Sequence, residues 1–387
     1  MDPKDFQNSS TGKLVRTLNT HWVFIPNELP PEISKWPTAL MQALSKAERN
    51  LTQLGERSET LSNPHIFVRP FMHKEAMLSS QIEGKLSTME GLYSYEAQGW
   101  AQVEEGHDIK EVHNYVIAMD YGLEKLDRLP LSKRLIRELH EILMEDIRGE
   151  DKRPGEFRDI QNFIGPPNST IEDAIFIPPP VNEMHRLLDQ LEKYFYQPSD
   201  LPALIRIALI HYQFEAIHPF RDGNGRIGRL LIVFQLCNWG LLPRPFLYIS
   251  GYFERNYREY YDSLLAVSQV GDWERWIEFF LEAITHQSND AVQRIFNLEA
   301  LKERYDNLVG DGKIAEYLSQ VIELFMGYPI MSIRQVEEKL GFTYTRAQRY
   351  VEKLEDLGIV QEVTGQTRDR LFLAKDILAE IERPLHG

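Results

Sequence analysis

The chain has 387 residues, of which 43% are hydrophobic and 26% charged. This composition predicts a folded protein, and the length predicts at least two hydrophobic cores, since domains usually hold about 100–200 residues. The formal net charge of −15 argues against a surface devoted to nucleic acid, because phosphate binding needs clustered Lys and Arg side chains.

The apolar segments are short. None approaches the about 20 consecutive apolar residues of a membrane span, and the first residues lack the basic-then-apolar pattern of a signal peptide. We therefore expect a cytoplasmic protein with no membrane partner. The single cysteine, Cys237, lies in an apolar run and is expected to be a buried structural thiol.

Periodic apolar positions from about residue 36 to residue 308 predict a mainly α body. The main predicted helices cover residues 73–83, 131–147, 181–195, 201–217, 225–239 and 273–301. Gly84 is expected to end the first of them, with Ser79 and Glu83 on one face of its last turn. Between the helices, β-branched residues at 170–180 end in three prolines. That segment is predicted to be an exposed hairpin or edge segment, with an irregular loop as the alternative.

After residues 309–312 the pattern restarts as a smaller unit. Helices at 332–340 and 345–357, followed by strands at 359–363 and 371–373 around a loop at 364–368, have the layout of a winged helix-turn-helix. The start of the second helix carries polar and basic residues that could read a DNA major groove. However, residues 310–387 hold 10 Lys and Arg against 13 Asp and Glu, a net charge of −3. We therefore favour protein recognition or dimer packing over DNA binding.

A glycine-rich loop is predicted between helices 201–217 and 225–239. Gly223, Asn224 and Gly225 open onto a helix N-terminus, where backbone N–H groups and the helix dipole favour an anion. Arg226 and Arg229 follow at i, i+3 and share one helix face. The expected ligand is a polyphosphate.

Two further side chains of the same run suggest catalysis. Asp222 beside an anion site implies a bridging cation, and Mg²⁺ held by a carboxylate and phosphates is the usual arrangement. His218 has a side chain whose ordinary pKa suits a general base. Taken singly, a structural histidine at a helix end is the alternative for His218, and an ordinary turn is the alternative for the glycine-rich loop. A metal hydrolase using His211, His218 and Asp222 is a further alternative, but it would leave the glycines and arginines without a function.

The run from His218 to Arg229, His-Pro-Phe-Arg-Asp-Gly-Asn-Gly-Arg-Ile-Gly-Arg, resembles the signature of the Fic family at all its defining positions. The resemblance implies a mainly α Fic-type helical core with a hairpin flap, in a protein adenylyltransferase. Such an enzyme moves AMP from ATP to a Ser, Thr or Tyr hydroxyl of a target protein or of itself, with pyrophosphate as the leaving group. It also implies His218 as the base and Asp222 as the Mg²⁺ ligand.

The resemblance further implies a nucleotide site and domain boundaries. The implied nucleotide-binding residues are Gly223, Asn224, Gly225, Arg226, Gly228 and Arg229, with Tyr260 and Tyr261 as an aromatic wall. Ordinary helix packing is the alternative for the two tyrosines. The predicted domains are residues 1–105 with an inhibitory helix, 106–309 with the Fic core and flanking helices, and 310–387 with the winged helix-turn-helix.

Regulation and target binding are also implied by the resemblance. The segment 79–84 matches the inhibitory motif of many Fic proteins, in which Glu83 pairs with Arg229 and occupies the guanidinium that would hold the γ-phosphate, while Ser79 lies on the same face. The flap at 171–180 would bind the target backbone by strand addition, and a homodimer is expected. Alternatives are removal of AMP, transfer of another phosphate-containing group, or a DNA-binding regulator.

Overall fold

The computed structural model describes residues 1–17, 21–32, 36–98, 106–147, 152–166, 169–366 and 368–384. These residues form fifteen α-helices and two small antiparallel sheets, which confirms the mainly α class. Across these ranges, no helix has the length and apolar character needed to cross a membrane. The predicted boundary at residue 105 and position 367 of the predicted wing loop lie outside the described residues.

The helices and strands follow in chain order. The helices are α1 (Thr38–Glu59), α2 (Pro64–Ile82), α3 (Met89–Gln98), α4 (Gly106–Leu126), α5 (Lys133–Leu143), α6 (Val181–Tyr196), α7 (Ala203–Ile217), α8 (Asn224–Asn238), α9 (Ser250–Arg255), α10 (Tyr257–Val270), α11 (Trp273–Val309), α12 (Lys313–Gly327), α13 (Ile333–Leu340), α14 (Tyr344–Asp356) and α15 (Lys375–Glu382). The strands are β1 (Gly12–Arg16), β2 (Trp22–Pro26), β3 (Ile330–Ser332), β4 (Gln361–Glu362) and β5 (Leu371–Leu373).

The chain forms two compact units. The first comprises Met1–Leu51, Ile117–Leu241 and Tyr252–His286. At its centre, α7 packs against α8, and both helices are buried over most of their length. A helix that is apolar on all sides is stable only when other elements surround it. One such element is α11, whose Trp276 donates from Nε1 to the Ala208 carbonyl of α7 at 2.8 Å.

An N-terminal hairpin, which the sequence patterns did not predict, also belongs to the first unit. Strands β1 and β2 pair in antiparallel register, with Leu14 opposite Phe24. The Phe24 N–H donates to the Ile177 carbonyl at 2.9 Å, and the Phe24 ring packs between Phe6 and Phe176. The hairpin therefore holds one edge of the predicted flap segment.

The flap segment itself is closed by an isolated antiparallel bridge between Ile164 and Phe176. A short 3-10 turn, Ile171–Asp173, stands at its tip, and Ile175 is exposed. The segment thus has one bridge and no strand, and residues 176–179 are buried, so the structure agrees with the predicted exposed hairpin at this single pairing alone. The pairing amounts to one bridge because the prolines at 178–180 cannot donate ladder hydrogen bonds.

Helix bounds agree with the sequence for the central helices and differ elsewhere. Helices α6, α7 and α8 match their predicted ranges within two residues. The predicted 131–147 helix was too long, because α5 ends at Leu143 and Asp146 has a left-handed φ of 51°. The predicted 73–83 helix was too short, because α2 begins at Pro64 and continues through Pro70.

The second compact unit comprises Thr52–Val116, Leu242–Gly251 and Gln287–Gly387. Its sheet has the order β3-β5-β4. Helices α13 and α14 confirm the predicted helices at 332–340 and 345–357, and β5 confirms the strand at 371–373. Helix α12 lies so close to α2 that a Cβ on Gly327 would stand 2.8 Å from the Ile66 side chain.

The C-terminus of α2 is fixed within this unit. Gly84 has a φ of 78°, its N–H donates to the Gln81 carbonyl at 2.9 Å, and the Lys85 N–H donates to the Ser80 carbonyl at 3.1 Å. These two bonds are the Schellman arrangement that ends a helix at a left-handed residue. The predicted helix stop at Gly84 is therefore confirmed, with Glu83 at the C-cap position.

Candidate active site

The loop between α7 and α8 begins at His218, which is the C-cap residue of α7 and has left-handed backbone angles, φ 49° and ψ 62°. Its N–H still donates to the Phe214 carbonyl at 3.0 Å, and its Nδ1 lies 3.3 Å from the Glu215 carbonyl. A non-glycine residue in this region stores about 1–3 kcal/mol of strain, which surrounding contacts must hold. The helix end therefore places the imidazole at the start of the glycine-rich loop.

The loop ends where α8 begins. Gly223 is the N-cap residue with a φ of 76°, and a Cβ at this position would lie 3.2 Å from the Met144 sulfur. The Asn224 side chain closes the loop, since its Oδ1 accepts from the Phe220 N–H at 2.8 Å and its Nδ2 donates to the Phe220 carbonyl at 2.9 Å. The loop thus presents the first backbone N–H groups of α8 with their positive dipole end.

Asp222 carries the only carboxylate within the run 218–229, and its side chain is 40% exposed. Its Oδ2 lies 2.5 Å from Lys152 Nζ and its Oδ1 lies 3.7 Å from Arg226 Nη2. Partial burial raises the pKa of Asp222, but Arg226 and Lys152 outweigh this effect and lower it to about 2. The carboxylate is therefore ionised at neutral pH and already accepts a cation.

That environment fits a magnesium ligand. Mg²⁺ is usually held by one or two carboxylates together with substrate phosphates, so a single ionised carboxylate beside an anion site suffices. Among the described residues, no group of three or more His, Cys, Asp and Glu side chains could hold a metal without such phosphates. The ammonium of Lys152 shows that a cation can approach Asp222 Oδ2.

The two arginines of the motif are recessed. Arg226 is 1% exposed and Arg229 is fully buried. Gly228 lies between them, and a Cβ there would stand 2.2 Å from Glu215 Oε1 and 3.3 Å from His211. Gly228 therefore permits the close approach of α8 to α7, which is a packing explanation for a residue that the resemblance assigned to nucleotide binding.

The predicted aromatic wall divides into one buried and one exposed tyrosine. Tyr260 is 1% exposed, its ring stacks on Phe253 at 4.5 Å, and its hydroxyl lies 2.8 Å from His211 Nε2. Burial raises the pKa of Tyr260 well above its usual value, and the charges of Glu215 and Arg229 also act on it. This environment favours the packing alternative for Tyr260, whereas Tyr261 is 41% exposed.

His211 does not suit the metal-hydrolase alternative. It is 1% exposed, its Nδ1 lies 3.1 Å from the Gly228 carbonyl, and its Nε2 faces the Tyr260 hydroxyl. Burial, opposed by the Gly228 hydrogen bond, lowers the pKa of His211 to about 3. Both ring nitrogens of a neutral imidazole are thereby engaged, so His211 serves the core of the helix pair.

Several residues that the sequence did not single out shape the loop. His140 of α5 is buried, and its ring stacks on Phe220 with centroids 3.8 Å apart. Its Nε2 donates to the Asp222 carbonyl at 3.1 Å while its Nδ1 accepts from the Gly155 N–H at 3.0 Å. Lys152, Arg158 and Asn162 also contact the loop. No periodicity marks the segment of Lys152, Arg158 and Asn162, and the helical period of α5 does not indicate what His140 contacts, so only a tertiary structure could identify these residues.

The predicted inhibitory residues lie in the second unit. Ser79 is fully buried on α2, and Glu83 is the C-cap residue described above. The segment after it is tied to α4, since Lys85 Nζ lies 2.7 Å from Glu111 and the Leu86 N–H donates to Asp108 at 2.9 Å. The pairing of Glu83 with Arg229 stays a prediction.

Comparison with known families gives the class of protein to which this loop belongs. Residues 41–124 match the family model described as Fic/DOC family N-terminal, and residues 130–236 match the model described as Fic/DOC family. The chain therefore belongs to the Fic/DOC family, and the resemblance seen in the sequence is confirmed.

Individual relatives agree with this assignment. The protein adenylyltransferase fic-1 of Caenorhabditis elegans is 30% identical over 231 residues, covering 56% of this chain and 40% of the relative. The protein adenylyltransferase Fic of Drosophila grimshawi is 27% identical over 249 residues, covering 61% of this chain and 47% of the relative. The chain thus spans less than half the length of these curated relatives.

Solved structures share the fold. A Fic family protein from Desulfovibrio desulfuricans G20 superposes with a TM-score of 0.59 at 19% identity, covering 89% of this chain and 98% of that one. A Fic domain containing signaling protein from Bacteroides thetaiotaomicron gives a TM-score of 0.51 at 20% identity, covering 64% and 97%. At these identities the likeness shows the Fic fold.

Proposed function

We propose that this protein is an adenylyltransferase that moves AMP from ATP to a Ser, Thr or Tyr hydroxyl of a target protein and of itself. The observation that carries the proposal is the loop from α7 to α8, which brings together His218, Asp222, a helix N-terminus and two arginines. The names of the curated relatives, protein adenylyltransferases, support the same reaction.

His218 is the proposed base. Donation from its Nδ1 to the Glu215 carbonyl leaves the basic lone pair on Nε2, which takes the proton of the target hydroxyl. The hydroxyl oxygen then bonds to the α-phosphorus as the bond from that phosphorus to the bridging β-phosphate oxygen breaks. Pyrophosphate leaves with the displaced electron pair.

The phosphates bind at the start of α8. Backbone N–H groups at 224–225 and the guanidinium groups of Arg226 and Arg229 supply the positive charge that the polyphosphate requires, whereas the Gly223 N–H donates to Asp222 Oδ1 at 2.6 Å in this structure. Both arginines are buried, and interactions with phosphate oxygens are stronger in a water-excluded site. Asp222 would hold Mg²⁺, which when bound neutralises part of the phosphate charge.

The enzyme is autoinhibited in this proposal, because Glu83 competes with the γ-phosphate for Arg229. The match of residues 79–84 to the inhibitory motif carries this role, and the Schellman bonds that end α2 fix the backbone of Glu83 within the second unit. We expect Glu83→Gly to raise incorporation of labelled AMP and His218→Ala to abolish it in either background. The control Glu59→Gly removes an exposed carboxylate from the end of α1 and should leave incorporation unchanged.

The outcomes separate the two parts of the proposal. Equal incorporation by the wild type and Glu83→Gly would contradict autoinhibition, and incorporation that survives His218→Ala would contradict the catalytic assignment. Mass spectrometry of the labelled protein distinguishes an added AMP from an added phosphate, and thus tests the alternative of another phosphate-containing group. Loss of AMP from a pre-labelled protein, dependent on Glu83, would reveal the reverse reaction.

The target binds through the flap at 171–180. Exposed Ile175 stands beside the bridge between Ile164 and Phe176, so an extended target segment could add to this edge. Labelling of a target should therefore fall in Ile175→Asp, which replaces the exposed apolar side chain and keeps the Ile175 N–H that donates to the Ile164 carbonyl at 2.8 Å, while binding of ATP is retained.

The C-terminal elements support a winged helix-turn-helix that recognises protein or a second copy of the chain. Helices α12 to α14 and strands β3 to β5 occur in the order this fold requires. Arg346 of α14 lies 3.9 Å from the Tyr317 ring centroid, and Arg370 pairs with Glu352 at 3.0 Å. These two cations are engaged within the protein, which weakens the case for phosphate binding. Binding of duplex DNA with a steep salt dependence would contradict this preference.

A further inference from the structure

Arg158 is a buried arginine that the reaction outlined above does not use. It is 1% exposed and lies between α5 and α6, within residues 153–163, which form neither helix nor strand. Its guanidinium donates to four main-chain carbonyls: Nε to His218 at 2.9 Å, Nη1 to Ile160 at 3.1 Å, and Nη2 to Pro179 at 2.5 Å and to Ile217 at 3.4 Å.

Two of these carbonyls belong to the end of α7. The carbonyls of Ile217 and His218 come after the last helical hydrogen bonds, so they need partners from outside the helix. A positive charge is also favourable at the negative end of the helix dipole. Arg158 therefore holds the helix end at which the catalytic histidine adopts its strained left-handed conformation.

The third carbonyl, that of Pro179, belongs to the flap segment 171–180. A single guanidinium thus bonds to both the flap and the catalytic loop. Two neighbours repeat the connection, since Gln161 Nε2 donates to the Pro178 carbonyl at 2.9 Å and Asn162 Nδ2 donates to the His218 carbonyl at 3.2 Å. The segment 158–162 consequently ties the base of the flap to the backbone of His218.

The chemistry of this link requires arginine. Burial lowers the pKa of Arg158 to about 10, so the side chain is still a cation at neutral pH. Its three nitrogens point in different in-plane directions and reach carbonyls on three stretches of chain, whereas a lysine offers all its protons from one atom. Replacing Arg158 by lysine would keep the charge and lose the geometry.

We propose that Arg158 is a positioning residue that fixes the flap relative to His218, so that a hydroxyl presented on the flap meets the imidazole. This inference rests on the proposed AMP transfer and deepens it, because it names the contact that aligns the protein substrate. The residue touches neither the phosphates nor the hydroxyl in this scheme.

The first test measures amide hydrogen exchange of the full chain without nucleotide. Arg158→Met should accelerate exchange in peptides covering 171–177 and in peptides covering 217–226, with both regions responding together. Arg206→Met is the matched control, because Arg206 also donates to two carbonyls, those of Tyr194 and Gln197, at the end of another helix. Unchanged exchange in either region of Arg158→Met would overturn the inference.

The second test measures self-transfer of AMP in the Glu83→Gly background. Arg158→Met should lower the rate at saturating ATP by about 10- to 100-fold, the loss expected when reacting groups shift by about 1 Å, with the KM for ATP unchanged. Arg158→Lys should also lose rate, and Arg206→Met should keep it. An unchanged rate, a loss confined to KM, or an equal loss in Arg206→Met would overturn the inference. Absence of transfer in Glu83→Gly itself contradicts the proposed function, and the exchange test then decides on Arg158 alone.

Discussion

Replacing Lys74 by methionine should change how the stability of the protein depends on pH. Lys74 lies on α2 and is 5% exposed, with Nζ 2.8 Å from the Ile381 carbonyl at the end of α15. Arg294 donates to the same carbonyl at 3.2 Å and to that of Arg383 at 2.6 Å. Burial first, and then the charge of Arg294, lower the pKa of Lys74 from 10.5 to about 7.

The direction and size of the effect follow from this depressed pKa. Between about pH 7 and pH 10.5 the unfolded chain holds a proton on Lys74 that the folded chain has released, so the free energy of unfolding rises with pH. The slope is about 1.4 kcal/mol per pH unit, which gives about 2 kcal/mol between about pH 8 and pH 9.5 and about 5 kcal/mol over the whole window. Lys74→Met removes this contribution.

Urea unfolding of the wild type and Lys74→Met at a series of pH values measures the difference directly. The free energy of unfolding of the wild type minus that of the variant should increase as the pH rises. Taking this difference cancels the contributions of the other groups, which titrate in both proteins. Lys375→Met, which removes an exposed lysine of α15, should give a difference without this trend. A flat difference for Lys74→Met, or one that falls with pH, would refute the reasoning.

Two further changes test the packing within the first unit. Burial, opposed by the hydrogen bond to Asp222, lowers the pKa of His140 to about 4, so the contribution of His140 to stability should be lost as the pH falls from about 6.5 to about 4. In acid unfolding curves, the free energy of unfolding of the wild type minus that of His140→Gln should shrink by about 3 kcal/mol over this range. Gly122→Ala should lower the free energy of unfolding in urea by about 1–3 kcal/mol, because the added Cβ would stand 2.3 Å from the buried Phe234 ring. Alanine favours helices more than glycine does, so a gain in stability would contradict this packing.

The parts of the fold that the sequence predicted are those with local causes. The apolar faces of α6, α7 and α8 repeat with helical period, and the glycines at 84 and 223 adopt the left-handed backbone that glycine tolerates. The run 218–229 placed His218, Asp222 and the arginines on one loop and one helix turn, because residues so close in sequence are also close in the folded chain.

The contacts that the sequence did not predict depend on residues far apart in the chain. The hairpin of β1 and β2 owes its position to the Phe6, Phe24 and Phe176 rings, which come from segments about 150 residues apart. Lys152 and Arg158 lie in a segment with no helical or strand period, so nothing in its pattern indicates what its side chains reach. The close contact of α12 with α2 is likewise a property of tertiary packing.

The proposed catalytic loop shows that a motif match alone does not fix the geometry of its side chains. The motif supplies an imidazole, a carboxylate, backbone donors and arginines, but it also requires a left-handed histidine that the chain would not adopt by preference. Carbonyls at 217, 218, 220 and 222 are held by Arg158, Asn162 and His140, all from outside the motif. A chain with an intact motif and without these donors would keep every side chain of the proposed site and lose the backbone geometry that brings them together.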